Sequence, residues 1–186
     1  MNPILEAASE VDRSCTELGL TFCFIGGLAV LRWGEPRLTR DVDLTILCPY
    51  GAEGSVIDPL LERFGSRMDD ARDFALRHRV LLLRAANAVP IDVALGALPF
   101  EERAAERASR WRIGEDLHLL TCSPEDLLVH KVFAGRDRDW IDVEGVIERR
   151  RDTLDRELIN AELRPLLELN DSTHHLVRMD ALFDRT

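Results

Sequence analysis

Phe22-Cys23-Phe24-Ile25-Gly26-Gly27, followed by Asp41-Val42-Asp43-Leu44-Thr45-Ile46-Leu47, is the stretch from which this 186-residue chain can be organised. The apolar run predicts a short buried strand over 21–25. The glycine pair predicts a tight turn into a helix over 28–33, ended by Gly34 and Pro36. A second strand is predicted over 41–47, closing at Pro49. Side chains alternate along a strand, so Asp41 and Asp43 leave one face while Val42 and Leu44 leave the other. Two carboxylates side by side near a glycine turn point to divalent-metal and phosphate chemistry.

Asp-x-Asp alone says little. The chain has eighteen aspartates, and chance alone gives roughly two such spacings. Two occur, Asp41/Asp43 and Asp137/Asp139. Context separates them. The first opens an alternating apolar strand, where two acids on one face repel each other unless a cation or solvent offsets them. The second lies in Gly135-Arg136-Asp137-Arg138-Asp139, where solvated ion pairs suffice. A third acid, Asp92, interrupts the otherwise apolar Val89-Pro90-Ile91-Asp92-Val93-Ala94-Leu95. If 89–95 pairs beside 41–47, the three carboxylates converge on one sheet face. An edge acid facing water is the alternative for Asp92, as a backbone-only turn is for Gly26-Gly27.

Elsewhere the periodicity predicts helices over 3–18, 55–67, 99–108, 124–134 and 139–150, and a helical tail over 154–184 interrupted at Pro165 and 170–172. Residues 69–73 read as a polar stretch. Strands over 79–84 and 89–95 form an antiparallel hairpin, and shorter ones fall at 110–113 and 117–121. Ser123-Pro124-Glu125-Asp126 is a strong helix start: a capping hydroxyl, proline at the first position and acids in the first turn. The expected fold is α/β (α+β), a mixed β-sheet with flanking helices. A core domain over 1–121 is followed by a helical region, 122–186, packed on it.

Composition narrows the function. A net charge of −10 argues against a protein that coats nucleic acid. No apolar run is long enough to span a membrane and no signal peptide is evident, so a cytoplasmic protein is expected. The four cysteines lie in or beside apolar runs without a zinc spacing, as buried thiols do, and His174-His175 reads as a surface pair. Twenty-three arginines accompany a single lysine, Lys131.

The run Gly26-Gly27-Leu28-Ala29-Val30-Leu31-Arg32-Trp33-Gly34-Glu35-Pro36-Arg37-Leu38-Thr39-Arg40-Asp41-Val42-Asp43-Leu44 resembles the signature of the polymerase-beta-like nucleotidyltransferase superfamily. Within it the chain is most similar to the AbiEii-type group of abortive-infection and toxin–antitoxin systems. A later motif, Lys131-Val132-Phe133-Ala134-Gly135-Arg136-Asp137-Arg138-Asp139-Trp140-Ile141-Asp142, resembles that group's helical motif. The resemblance covers roughly residues 20–145.

It implies metal-dependent transfer of NMP from an NTP such as ATP to an acceptor hydroxyl, with release of pyrophosphate. Asp41, Asp43 and Asp92 would be the catalytic and metal-binding acids, holding two Mg²⁺ ions for which Mn²⁺ can substitute. Gly26, Gly27, Arg40 and Lys131 would contact the nucleotide, and a compact ammonium suits a single phosphate oxygen. Asp139 and Asp142 share a helical face; they would steady Lys131 or Arg40, or face solvent. Two departures stand out: Gly27 occupies a position where many relatives carry serine, and Arg138-Asp139 one that often reads Lys-Asp. The implied partners are an NTP, an RNA acceptor such as tRNA, and an antitoxin protein, with no membrane. An antibiotic-modifying adenylyltransferase and a non-catalytic nucleotide- or partner-binding module are the alternatives.

Overall fold

A computed structural model describes residues 2–185. The chain divides into two units: the first takes the residues up to Leu28 and from Leu38 to Cys122, the second Ala29–Arg37 and the residues from Ser123 onward.

In chain order the first unit holds α1 (Pro3–Glu17), β1 (Phe22–Phe24), the first turn of α2 (Gly26–Trp33), β2 (Val42–Leu47), α3 (Glu53–Arg63) and β3 (Gly65–Ser66). It continues with α4 (Ala71–His78), β4 (Val80–Arg84), β5 (Pro90–Gly96), α5 (Pro99–Arg107), β6 (Ser109–Ile113) and β7 (Leu117–Thr121). The strands form one mixed seven-stranded sheet in the order β3-β4-β5-β2-β1-β7-β6. The neighbours β2 and β5 run parallel, and so do β1 and β7. The other pairs are antiparallel, including the expected β4–β5 hairpin. Val42, Leu44 and Ile46 of β2 and Ile91, Val93 and Leu95 of β5 are buried, so the alternation in the sequence becomes one packed face. α1 packs against β7 and β2 and buries Ala7, Ala8, Val11 and Cys15.

Three expectations in this unit are corrected. The strand begins at Val42, leaving Asp41 just ahead of it. The helix expected over 55–67 ends at Arg63, because Phe64 turns extended and buries its ring, and Gly65-Ser66 then pairs with β4. The polar stretch over 69–73, for which no helix is expected, leads into α4, whose buried stripe is only Ala71 and Ala75 and so leaves little hydrophobic signal.

The second unit is helical. It contains the rest of α2, then α6 (Pro124–Ala134), α7 (Asp137–Arg150), a short 3₁₀ turn over 151–153, α8 (Arg156–Leu169) and α9 (His174–Phe183). Ser123 caps α6 as its sequence predicts, accepting from the Asp126 N–H at 3.0 Å. Gly135, at φ +61°, closes that helix. Pro165 does not interrupt the tail. It lies inside α8, where the buried stripe Ile159, Leu163, Leu166 and Leu167 outweighs a proline cost of about 3 kcal/mol. His175 is not a surface residue either. Its Nδ1 lies 2.9 Å from the Val132 carbonyl oxygen and its ring packs edge-on against Trp140.

Candidate active site

The sheet register decides which acids meet. Asp43 on β2 and Asp92 on β5 are direct partners across two parallel strands, so both side chains leave the same face. Asp41 sits ahead of β2, and its Oδ1 accepts a hydrogen bond from Thr39 Oγ1 at 3.1 Å. Thr39, part of the quoted motif but given no role by the sequence, is thus a buried support for that carboxylate.

The glycines are the first residues of α2 and do not form a separate turn before it. Gly26 has φ +56°, and a Cβ there would lie 2.1 Å from Asp43 Oδ2. A Cβ on Gly27 would lie 2.1 Å from Thr39 Oγ1. Both glycines are therefore required by close approach, and Thr39 fills the space that a serine at position 27 would need. The Gly27 N–H points at Asp43 Oδ2 across 3.5 Å, at the long limit of a hydrogen bond. The turn thus packs its backbone directly on one of the paired acids. Arg40, immediately before Asp41, is exposed.

Asp92 has a neighbour that the sequence did not reveal. Arg67 Nη2 stands 2.6 Å from Asp92 Oδ1. That oxygen is shielded from solvent and has no aligned hydrogen bond, so the contact is one of charge. Arg67 follows the two-residue strand β3, too short to leave a pattern, and meets Asp92 only through the pairing of β3, β4 and β5.

The donors are hard carboxylate oxygens, which suit Mg²⁺ or Mn²⁺. Among the described residues no three His, Cys, Asp or Glu side chains form a ready cluster. The cross-strand pair still fits, because Mg²⁺ commonly takes one or two carboxylates and completes its shell with water and substrate phosphates.

Lys131, Asp139 and Asp142 belong to the second unit. Lys131 Nζ lies 2.9 Å from Asp139 Oδ1 and 2.9 Å from Asp142 Oδ2. Asp142 also receives a bidentate pair from Arg37, Nε to Oδ1 at 2.6 Å and Nη2 to Oδ2 at 2.8 Å. Arg136 Nε approaches Asp139 Oδ2 at 3.2 Å. The charge of Lys131 is therefore engaged within its own unit. Burial by itself would raise the pKa of Asp142, but the hydrogen bonds and charges of Arg37 and Lys131 outweigh it and hold the carboxyl below its ordinary range. All four cysteines are buried and form no disulfide, and burial pushes the Cys15 thiol up to about 12.

The family model described as nucleotidyl transferase AbiEii toxin, type IV toxin–antitoxin system, matches residues 11–184. The chain belongs to this family. Its members are nucleotidyltransferases of toxin–antitoxin systems, which agrees with the resemblance carried by 26–44 and 131–142. Among curated proteins none matches significantly. Two solved structures share the fold. The crystal structure of an antigenic nucleotidyltransferase-like protein from Paracoccidioides brasiliensis is 17% identical, covers 96% of this chain and 92% of its own, and has a TM-score of 0.57. The solution structure of the antibiotic-resistance factor ANT(2'')-Ia is 14% identical, covers 94% and 96%, and has a TM-score of 0.53. Among the described residues no helix is long and apolar enough to cross a membrane.

Proposed function

We propose that this chain is a divalent-metal-dependent toxin that transfers NMP from an NTP to a hydroxyl of a cytoplasmic RNA, under the control of a cognate antitoxin. The observation that carries the reading is the register of β2 on β5, with Asp43 beside Asp92 and the glycine start of α2 packed on Asp43. Asp43 and Asp92, with Asp41, are the residues to hold Mg²⁺, which when bound polarises the attacking hydroxyl and neutralises phosphate charge. Asp92 takes the proton as the acceptor oxygen attacks the α-phosphorus. The bond from that phosphorus to the bridging oxygen breaks, and pyrophosphate leaves with the electron pair. Catalysis is then mostly positioning and charge neutralisation. Gly26 and Gly27 let the backbone come close to the triphosphate, and exposed Arg40 supplies a cation beside it. Its exposed charge also favours an anionic acceptor over a cationic one.

The test is incubation with labelled NTPs, Mg²⁺ and, separately, total RNA, aminoglycosides and cell protein. Label should enter RNA. Asp43→Ala should abolish transfer while leaving the circular dichroism spectrum unchanged, and full activity in that variant would sink the assignment. Label in aminoglycosides alone would make the chain an antibiotic-modifying enzyme. An NTP- and Mg²⁺-dependent rise in Tm without any turnover would make it a binding module.

A further inference from the structure

Arg67 is placed by backbone pairing. Its N–H donates to the Leu82 carbonyl at 3.1 Å, and Leu82 is the register partner of Asp92 on the next strand. This sets the guanidinium over Asp92, with Nη2 2.6 Å from Oδ1. The Asp92 side chain as a whole is 38% exposed, yet Oδ1 itself is covered. The oxygen covered by a cation is on the acid that the reading above makes both base and metal ligand. One carboxylate oxygen cannot hold a guanidinium and a divalent cation at once, since like charges at ligand distance repel strongly.

We infer, on the strength of the transferase reading, that Arg67 is a positioning residue that competes with the divalent cation for Asp92. In the metal-free protein it holds the carboxylate in place and balances its charge. A cation entering at Oδ1 must displace Arg67, and one entering at Oδ2 meets its charge, so either way Arg67 raises the metal concentration at which the site fills. A guanidinium displaced from Asp92 remains beside the acid pair with its planar fork of donors, the geometry that phosphate oxygens accept. Metal binding alone works against the Arg67 charge without compensation, whereas metal arriving with a triphosphate offers that guanidinium a new partner. Arg67 thereby makes metal loading favour the nucleotide-bound protein.

The experiment is a titration of the full-length protein with Mn²⁺, without nucleotide, followed by electron paramagnetic resonance. The variants are Arg67→Gln, Arg67→Met, Arg84→Gln and Asp43→Asn. Two substitutions at Arg67 are used so that one folded variant suffices, with folding verified by thermal melting. Arg84 lies on the same sheet face, opposite Pro90, and is exposed, so it controls for loss of one nearby positive charge. Removing Arg67 should tighten Mn²⁺ binding about tenfold, the scale on which one adjacent charge shifts a carboxylate. Arg84→Gln should leave it unchanged and Asp43→Asn should weaken it. A gain in metal affinity is something a merely structural arginine would not produce on removal. If Asp43→Asn weakens binding but the Arg67 variants do not tighten it, or if Arg84→Gln tightens it equally, the Arg67 proposal is overturned and the transferase reading stands. If wild type and Arg67 variants alike bind no Mn²⁺, both fall.

Discussion

At Gly26 a backbone requirement and a packing requirement coincide: φ is +56°, and the position of a Cβ lies 2.1 Å from Asp43 Oδ2. Alanine in the left-handed region costs about 1–2 kcal/mol, and here the added methyl must also push the carboxylate aside. Gly26→Ala should therefore lower stability by about that amount and cut NMP transfer on the order of a hundredfold, as misplacing a reacting group by an ångström does. Urea unfolding and the transfer assay measure the two effects separately; equal activity in the folded variant would show that Asp43 need not sit where it does. Gly27 differs, because its crowding comes from Thr39, which bonds Asp41. The sequence made Gly26, Gly27, Asp41 and Asp43 visible through context: a glycine pair directly after one apolar strand and an acid pair opening the next. It could not reveal what Thr39 and Arg67 touch, because those partners are defined by close packing and by strand register.

Among the elements, α6 and α7 are joined by a buried charge cluster, with Lys131 between Asp139 and Asp142. Asp142 is 2% exposed at its side chain and takes hydrogen bonds from Arg37 and Lys131. Removing one charge from such a buried cluster leaves the others uncompensated, at about 3–5 kcal/mol. Asp142→Asn should destabilise the chain on that scale, as measured by denaturant unfolding at neutral pH. The Asp142 pKa is held down in the folded state, so this contribution is complete above the ordinary carboxylate range and is lost as pH falls through the depressed value. The gap between wild type and Asp142→Asn should accordingly narrow in acid, and a gap constant with pH would rule out the ionised cluster as its source. Element types were legible where periodicity is strong: β2 and β5 alternate, and α6 carries its own cap. α4 was not, because two alanines bury too little apolar surface to mark a face, and Pro165 misled because tertiary burial overrides a local cost.

For the whole molecule, the division of the chain does not follow the order of its elements. A boundary drawn at 121/122 separates sheet from helices in the sequence, but Ala29–Arg37 groups with the residues after Cys122. Its partners there are specific. Arg37 pairs with Asp142, Arg149 reaches Glu35 at 3.3 Å, and Arg150 lies 4.7 Å over the Trp33 ring. A Cβ on Gly34 would stand 3.0 Å from Val146, and one on Gly145 would stand 3.3 Å from Glu35, so helix α7 and this segment approach closely. Ala29 and Val30 are fully buried. A fragment ending at Cys122 would keep this segment and lose everything it groups with, exposing apolar surface and leaving the Arg37 guanidinium without Asp142. The expected result is a fragment that aggregates or shows reduced far-ultraviolet ellipticity per residue, while the full chain elutes as a folded species in size-exclusion chromatography. A soluble, cooperatively melting 1–122 fragment would show instead that Ala29–Arg37 folds without its partners, and that the transferase core needs nothing beyond its own sheet.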